Sequence, residues 1–139
     1  MAGVESLGAL ALAEQVLIGD TTFMAATPGG VHLGVAPQGT TAPVCTLWVQ
    51  SAPDYLTFNC NRIWSDGTLM VKLSGPMPIG GLQTAADRAD ALLTRRTGNA
   101  GGHTTIACVR QSGFPVPEKG LVNGAQWVSI VQLYRTLVV

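Results

Sequence analysis

Two histidines, three cysteines and eight acidic side chains are what this 139-residue chain offers for proton transfer, nucleophilic attack or metal binding. Their spacing decides whether they form a site. His32 and His103 are far apart, and neither has a second histidine at helical spacing. Cys45, Cys60 and Cys108 contain no Cys-x-x-Cys pair, so no zinc-type ligand set is written into the chain. Odd in number and widely spaced, the cysteines read as small apolar strand residues, reduced in a cytoplasm. Surface or strand-end positions are the default for the histidines, although folding could bring either to Cys60 or Asp66 as a nucleophile–base pair. Asp54 and Asp66 are turn-type residues, while Asp87 and Asp90 fall on the polar face of a helical stretch. No two carboxylates are spaced for acid–base work. Pro28-Gly29-Gly30 and Gly101-Gly102 match neither the Walker nor the dinucleotide pattern, and there is no Gly-x-Ser-x-Gly elbow. The expectation is no catalytic, cofactor-binding or metal residue. The one polar pocket within reach would need Arg62, His103, Arg110 and Gln111 to converge.

Composition points elsewhere. Charged residues make up 12% of the chain, about half the usual share, and net charge is zero. A small globule with so little charge either carries a coat of Ser, Thr and Gly or hides part of its surface against other subunits. No basic face suited to phosphate appears, so tight binding of duplex DNA is disfavoured. DNA passing loosely through a neutral pore is compatible with this composition. The length fits one domain over residues 1–139. No apolar run of about 18 residues is present, so no membrane span is expected. The N-terminus lacks the basic start of a signal peptide and carries Glu5 and Glu14 around a short apolar run.

The elements that would position these residues follow from periodicity. Residues 5–18 predict a first helix with Leu7, Leu10, Ala11, Glu14, Leu17 and Ile18 on one face, Ser6 as cap and Gly19-Asp20 as its end. Val31–Val35 reads as a short strand. Val44–Ser51 alternates strongly, with Cys45, Leu47 and Val49 on one face and Val44, Thr46, Trp48 and Gln50 on the other. Tyr55–Trp64 and Thr68–Ser74 predict a hairpin around Ser65-Asp66-Gly67, since Asp-Gly tolerates the positive φ of such turns. Leu82–Thr97 predicts a second helix with an Ala-rich apolar stripe, Thr84 and Asp87 as a capping pair, and Arg95, Arg96 and Gly98 as stop signals. His103–Gln111 and Ala125–Val138 read as the last strands, joined by a Pro- and Gly-rich loop holding Phe114. Both faces of Ala125–Val138 are apolar, as for a strand covered on two sides. The fold class expected is α+β: a mainly antiparallel, mixed sheet of about five to six strands with two helices packed on one face.

Most aromatic residues belong to the core on this reading. The exceptions predicted to contact another chain are Trp64 and Asp66 at the hairpin and Phe114 in its Pro-flanked loop.

The layout resembles the tail terminator (tail completion) proteins of long-tailed bacteriophages. The features that carry the resemblance are the short N-terminal helix, V-H-L-G-V-A-P-Q-G-T-T-A-P-V at 31–44, R-I-W-S-D-G-T-L-M-V-K-L-S-G-P at 62–76, the Ala-rich helix, G-G-H-T-T-I-A-C-V-R-Q-S at 101–112 and the strand through Tyr134-Arg135. The resemblance implies a non-enzymatic structural virion protein with no cofactor. It implies a hexameric self-associated ring at the head-proximal end of the tail, assembled in the host cytoplasm. Its implied partners are the tail tube protein and the head–tail connector, with DNA passing through the lumen. A head-closure or head–tail adaptor ring protein is the alternative within the same machinery, and a small cytoplasmic ligand-binding domain the alternative outside it.

Overall fold

The computed structural model describes residues 6–37, 39–51, 54–56, 62–76, 80–122 and 125–139. Three helices, α1 (Ser6–Ile18), α2 (Thr21–Ala26) and α3 (Gly80–Leu93), accompany seven strands among these residues. The strands are β1 (Val31–Leu33), β2 (Val44–Ser51), β3 (Asp54–Leu56), β4 (Arg62–Pro76), β5 (Gly98–Ala100), β6 (His103–Val122) and β7 (Ala125–Val138). They form one mixed sheet in the order β1-β2-β4-β7-β6-β5, with β3 also paired to β4. Pairing is antiparallel except between β1 and β2. The expected α+β class with a mainly antiparallel sheet is what forms.

Alternation along the central strands sorts their side chains onto two faces. Cys45 and Leu47 of β2, Leu69, Val71 and Leu73 of β4, and Ile130 and Tyr134 of β7 are buried together with Leu10 and Leu17 of α1, Phe23 of α2, and Leu82, Ala86 and Leu93 of α3. This is the inner face. Burying each large apolar side chain here contributes about 1.5–3 kcal/mol. The Ala-rich stripe of α3 is buried as its spacing predicts. Close approach of α1 depends on Gly8, where a Cβ would lie 2.7 Å from that of His103 and 3.2 Å from Cγ1 of Val138.

Several expectations are corrected. The predicted turn at Ser65-Asp66-Gly67 is instead the interior of β4, which runs unbroken from Arg62 to Pro76. Asp66 and Gly67 stay in register with Leu137 and Thr136 of β7, and Arg135 binds the Asp66 carboxylate through Nε at 3.0 Å and Nη2 at 2.5 Å. A partner strand on this side holds Asp-Gly extended where an isolated ribbon would turn. The hairpin lies upstream: β3 pairs with residues 62–65, Asp54 opposite Ser65, and β2 with residues 68–74. The connecting residues 57–61, and with them Cys60, lie outside the described residues.

The predicted loop after Gln111 is likewise strand. β6 continues to Val122 in register with β7, Phe114 opposite Val131 and Val122 opposite Ala125. Proline is tolerated because β6 is an edge here. β5 pairs with it over residues 103–105, and beyond that no described strand lies on its other side. Pro115 and Pro117 are two apart and the ladder to β7 runs through both, so their ring nitrogens face the open edge and no bond is lost.

α2 was not expected. Asp20, predicted to terminate α1, is the N-cap of α2, its carboxylate accepting from the Phe23 amide at 2.8 Å. Thr84 and Asp87 do not cap α3 but lie within it, Thr84 Oγ1 donating to the Gly80 carbonyl and Asp87 accepting from Gln83. The helix ends at Leu93, four residues before the expected Thr97. Its stop signals do act at this end: Arg95 adopts φ 64°, and Arg96 Nε donates to the Leu92 carbonyl at 3.0 Å.

Candidate interaction surfaces

Among the described residues, no catalytic constellation forms from the groups singled out above. His32 Nε2 lies 2.8 Å from the Gly29 carbonyl oxygen, holding the loop before β1. His103 sits at the start of β6 against α1. Cys45 and Cys108 are buried, and burial pushes their thiols up to about 12 and about 11, so neither is a thiolate near neutrality. Among the described residues no three His, Cys, Asp or Glu side chains gather as a metal would require. No described helix is long and apolar enough to cross a membrane.

Arg62, His103, Arg110 and Gln111 do not form a pocket as a set. Arg110 turns to the inner side, its Nη1 3.4 Å from Asp90 Oδ2, whereas Gln111 lines a depression on the opposite face beside Arg135. Ordinary strand alternation sends consecutive Arg110 and Gln111 to opposite faces. The Arg62 side chain lies outside the described set.

The densest polar cluster joins α3 to β7. Tyr134 Oη donates to Asp90 Oδ1 at 3.1 Å and lies 3.3 Å from Gln132 Oε1, and Gln132 Nε2 donates to the Ala86 carbonyl at 3.0 Å. Thr94 Oγ1 also donates to Asp90. Burial, and then the Asp90 charge, raise the Tyr134 phenol well above its ordinary value, so it stays a donor. Arg110 reaches Asp90 by crossing Gly113, where a Cβ would sit 2.2 Å from its guanidinium. A cavity of about 110 Å³ remains beside Gln132. These groups satisfy one another, and the cluster reads as a strut between helix and sheet. A second strut joins α2 to α3: Arg88 binds both Asp20 oxygens, at 2.9 and 2.7 Å, and holds that carboxyl down at about 2.

What the molecule does present is apolar surface. On the outer face of the sheet no described helix covers the strands. Trp48, Met70 and Leu133 lie in one cross-strand row there, and the expectation that β7 is covered on two sides is met on the inner side alone. Phe114 is 43% exposed and extends the neighbouring row next to Val131. Val109, Leu137 and Ala107 line a depression of about 400 Å³ with Arg135. A second surface lies on α1. The predicted buried face there is rotated: Ala9, Leu10, Ala13 and Leu17 are buried, while Leu7 and Ile18 are half-exposed. Leu7, Ala11, Glu14, Ile18 and Leu33 wall an open groove of about 610 Å³. Helix α1 is apolar around most of its circumference, so periodicity could not choose its inner side.

Of the residues predicted at an interface, Phe114 is surface-exposed on a strand, not in a loop. Asp66 is mid-strand and paired with Arg135. Trp64 lies on β4 opposite Tyr55, its side chain outside the described set. Trp64 and Asp66 thus stand within β4 and not at a hairpin tip. The groove on α1 was missed: the structure leaves Leu7, Ile18, Leu33 and Val35 exposed, which periodicity did not indicate.

No family model matches the chain, and no curated protein matches its sequence. Solved structures do share its fold. A chain from the virion of a native gene transfer agent particle superposes with a TM-score of 0.71 at 12% identity, covering 99% of this chain and 98% of that one. A second solved chain matches with a TM-score of 0.57 at 14% identity, covering 98% and 96%. At such identities the likeness is one of fold.

Proposed function

We propose that this protein is a structural virion component: a ring subunit at the head-proximal end of a phage-type tail, ending tube polymerisation and joining the tail to the head connector. The observation that carries the reading is the end-to-end match to a chain of a gene transfer agent virion, without large insertion in either. Two features of the molecule support it. Charge is 12% of the residues, and exposed large apolar side chains occur on two separate surfaces, as a subunit with neighbours on both sides requires. On this reading the partners are copies of itself, probed first as a hexamer, the tube protein and the connector, with DNA passing through the lumen.

The test is genetic and visual. Particles assembled without the chain are imaged. Overlong tails, or tails that never join heads, are the expected result, and overlong tubes separate termination from head closure. Tails of normal length on filled heads would overturn the assignment. Native mass measurement of the purified chain, alone and with tube protein, checks the ring.

A further inference from the structure

We propose that copies of this chain meet head to tail, the outer surface of β6 and β7 of one copy seated in the α1–β1 groove of the next. This rests on the ring reading and names the surfaces that build it.

The two surfaces differ in shape, position and charge. The groove is apolar, walled by Leu7, Ala11, Ile18 and Leu33, and its charged side chain is Glu14. The sheet surface is apolar too, formed by Ala107, Val109 and Leu137, and its charged side chain is Arg135. Arg135 remains 55% exposed while its partner Asp66 is 13% exposed, so the pair shows its positive end outward. Docking one surface on the other buries apolar area on both sides and brings opposite charges together. Docking either surface on its own copy would instead face Glu14 with Glu14, or Arg135 with Arg135. The favoured contact is therefore heterologous, the kind that closes rings. A small ligand fits neither place, since both are wide open and lack convergent polar groups.

A mixing experiment tests this. Leu33 is 46% exposed and Val109 52%, so Leu33→Asp and Val109→Asp each spoil one surface with the monomer left folded, as circular dichroism melts would check. Wild type should form a closed oligomer by native mass spectrometry. Each variant alone should be monomeric. Mixed in equal amounts they should stop at a one-to-one dimer, because a single competent pair of surfaces remains. Should aspartate disturb folding, Leu33→Thr and Val109→Thr put a strand-favouring β-branched residue at each position and should weaken assembly at least tenfold. If wild type assembles and either variant assembles equally well, or pairs with itself, the surfaces are wrong while the ring stands. A wild type that remains monomeric even with tube protein overturns the ring reading and this inference with it.

Discussion

Along β7, Ile130, Gln132 and Tyr134 turn toward the helices and are buried, whereas Arg135 and Leu137 look outward and stay at least partly accessible. The same contrast runs across β4, where Leu69, Val71 and Leu73 are sealed while Met70 and Lys72 are not. The inner residues are buried within the subunit by three helices. The outer ones are nearly as apolar in places, and no described helix covers them. The difference separates two kinds of hydrophobic residue: those that stabilise the subunit and those available to join it to something else.

That contrast can be broken most severely at Leu47, fully buried between β4 and the helices. Leu47→Ala should cost about 2–5 kcal/mol, read as a lower urea midpoint. A sharper comparison uses one substitution on both faces. Val71→Thr places a hydroxyl in the sealed core and should cost about 1–3 kcal/mol, while Val109→Thr should stay within about 0.5 kcal/mol as a monomer. Equal losses at the two positions would mean that the outer face is not free surface. Next in size is Tyr134→Phe, which strips a donor from Asp90 and Gln132 and should cost about 1 kcal/mol. The smallest expected effect concerns the Asp20–Arg88 strut. With its carboxyl depressed from 3.8 to about 2, Asp20 contributes stability that is complete above pH 3.8 and lost as pH falls through about 2. Asp20→Asn should therefore be less stable than wild type near neutrality, and the gap in denaturation midpoint should close in acid. A gap unchanged at pH 2 would show that the ion pair contributes nothing.

Much of the inner architecture was legible in the residues. The stripe Leu82–Ala85–Ala86–Ala89–Leu93 made α3 visible, and alternation made β2 visible, because burial on one face imposes a period. What misled were punctuation residues whose meaning depends on neighbours distant in sequence. Asp66-Gly67 signals a turn in isolation, yet β7 pairs with it and Arg135 takes up its carboxylate. Gly113, Pro115 and Pro117 signal a loop, yet an edge strand accepts them. The chain does return at the end of β6, where Val122 pairs with Ala125, well past those louder breakers. Asp20 closed one helix to the eye and opened another in fact. For the surfaces, composition announced that something was exposed, but choosing the outward side of α1 needed the packing itself.

Pro115 and Pro117 carry one last implication. A long strand margin on which no described strand lies invites identical molecules to zip together without limit. Two rings lacking amide hydrogens on that margin deny any incoming strand a regular ladder. Edge-to-edge stacking without limit is thereby discouraged.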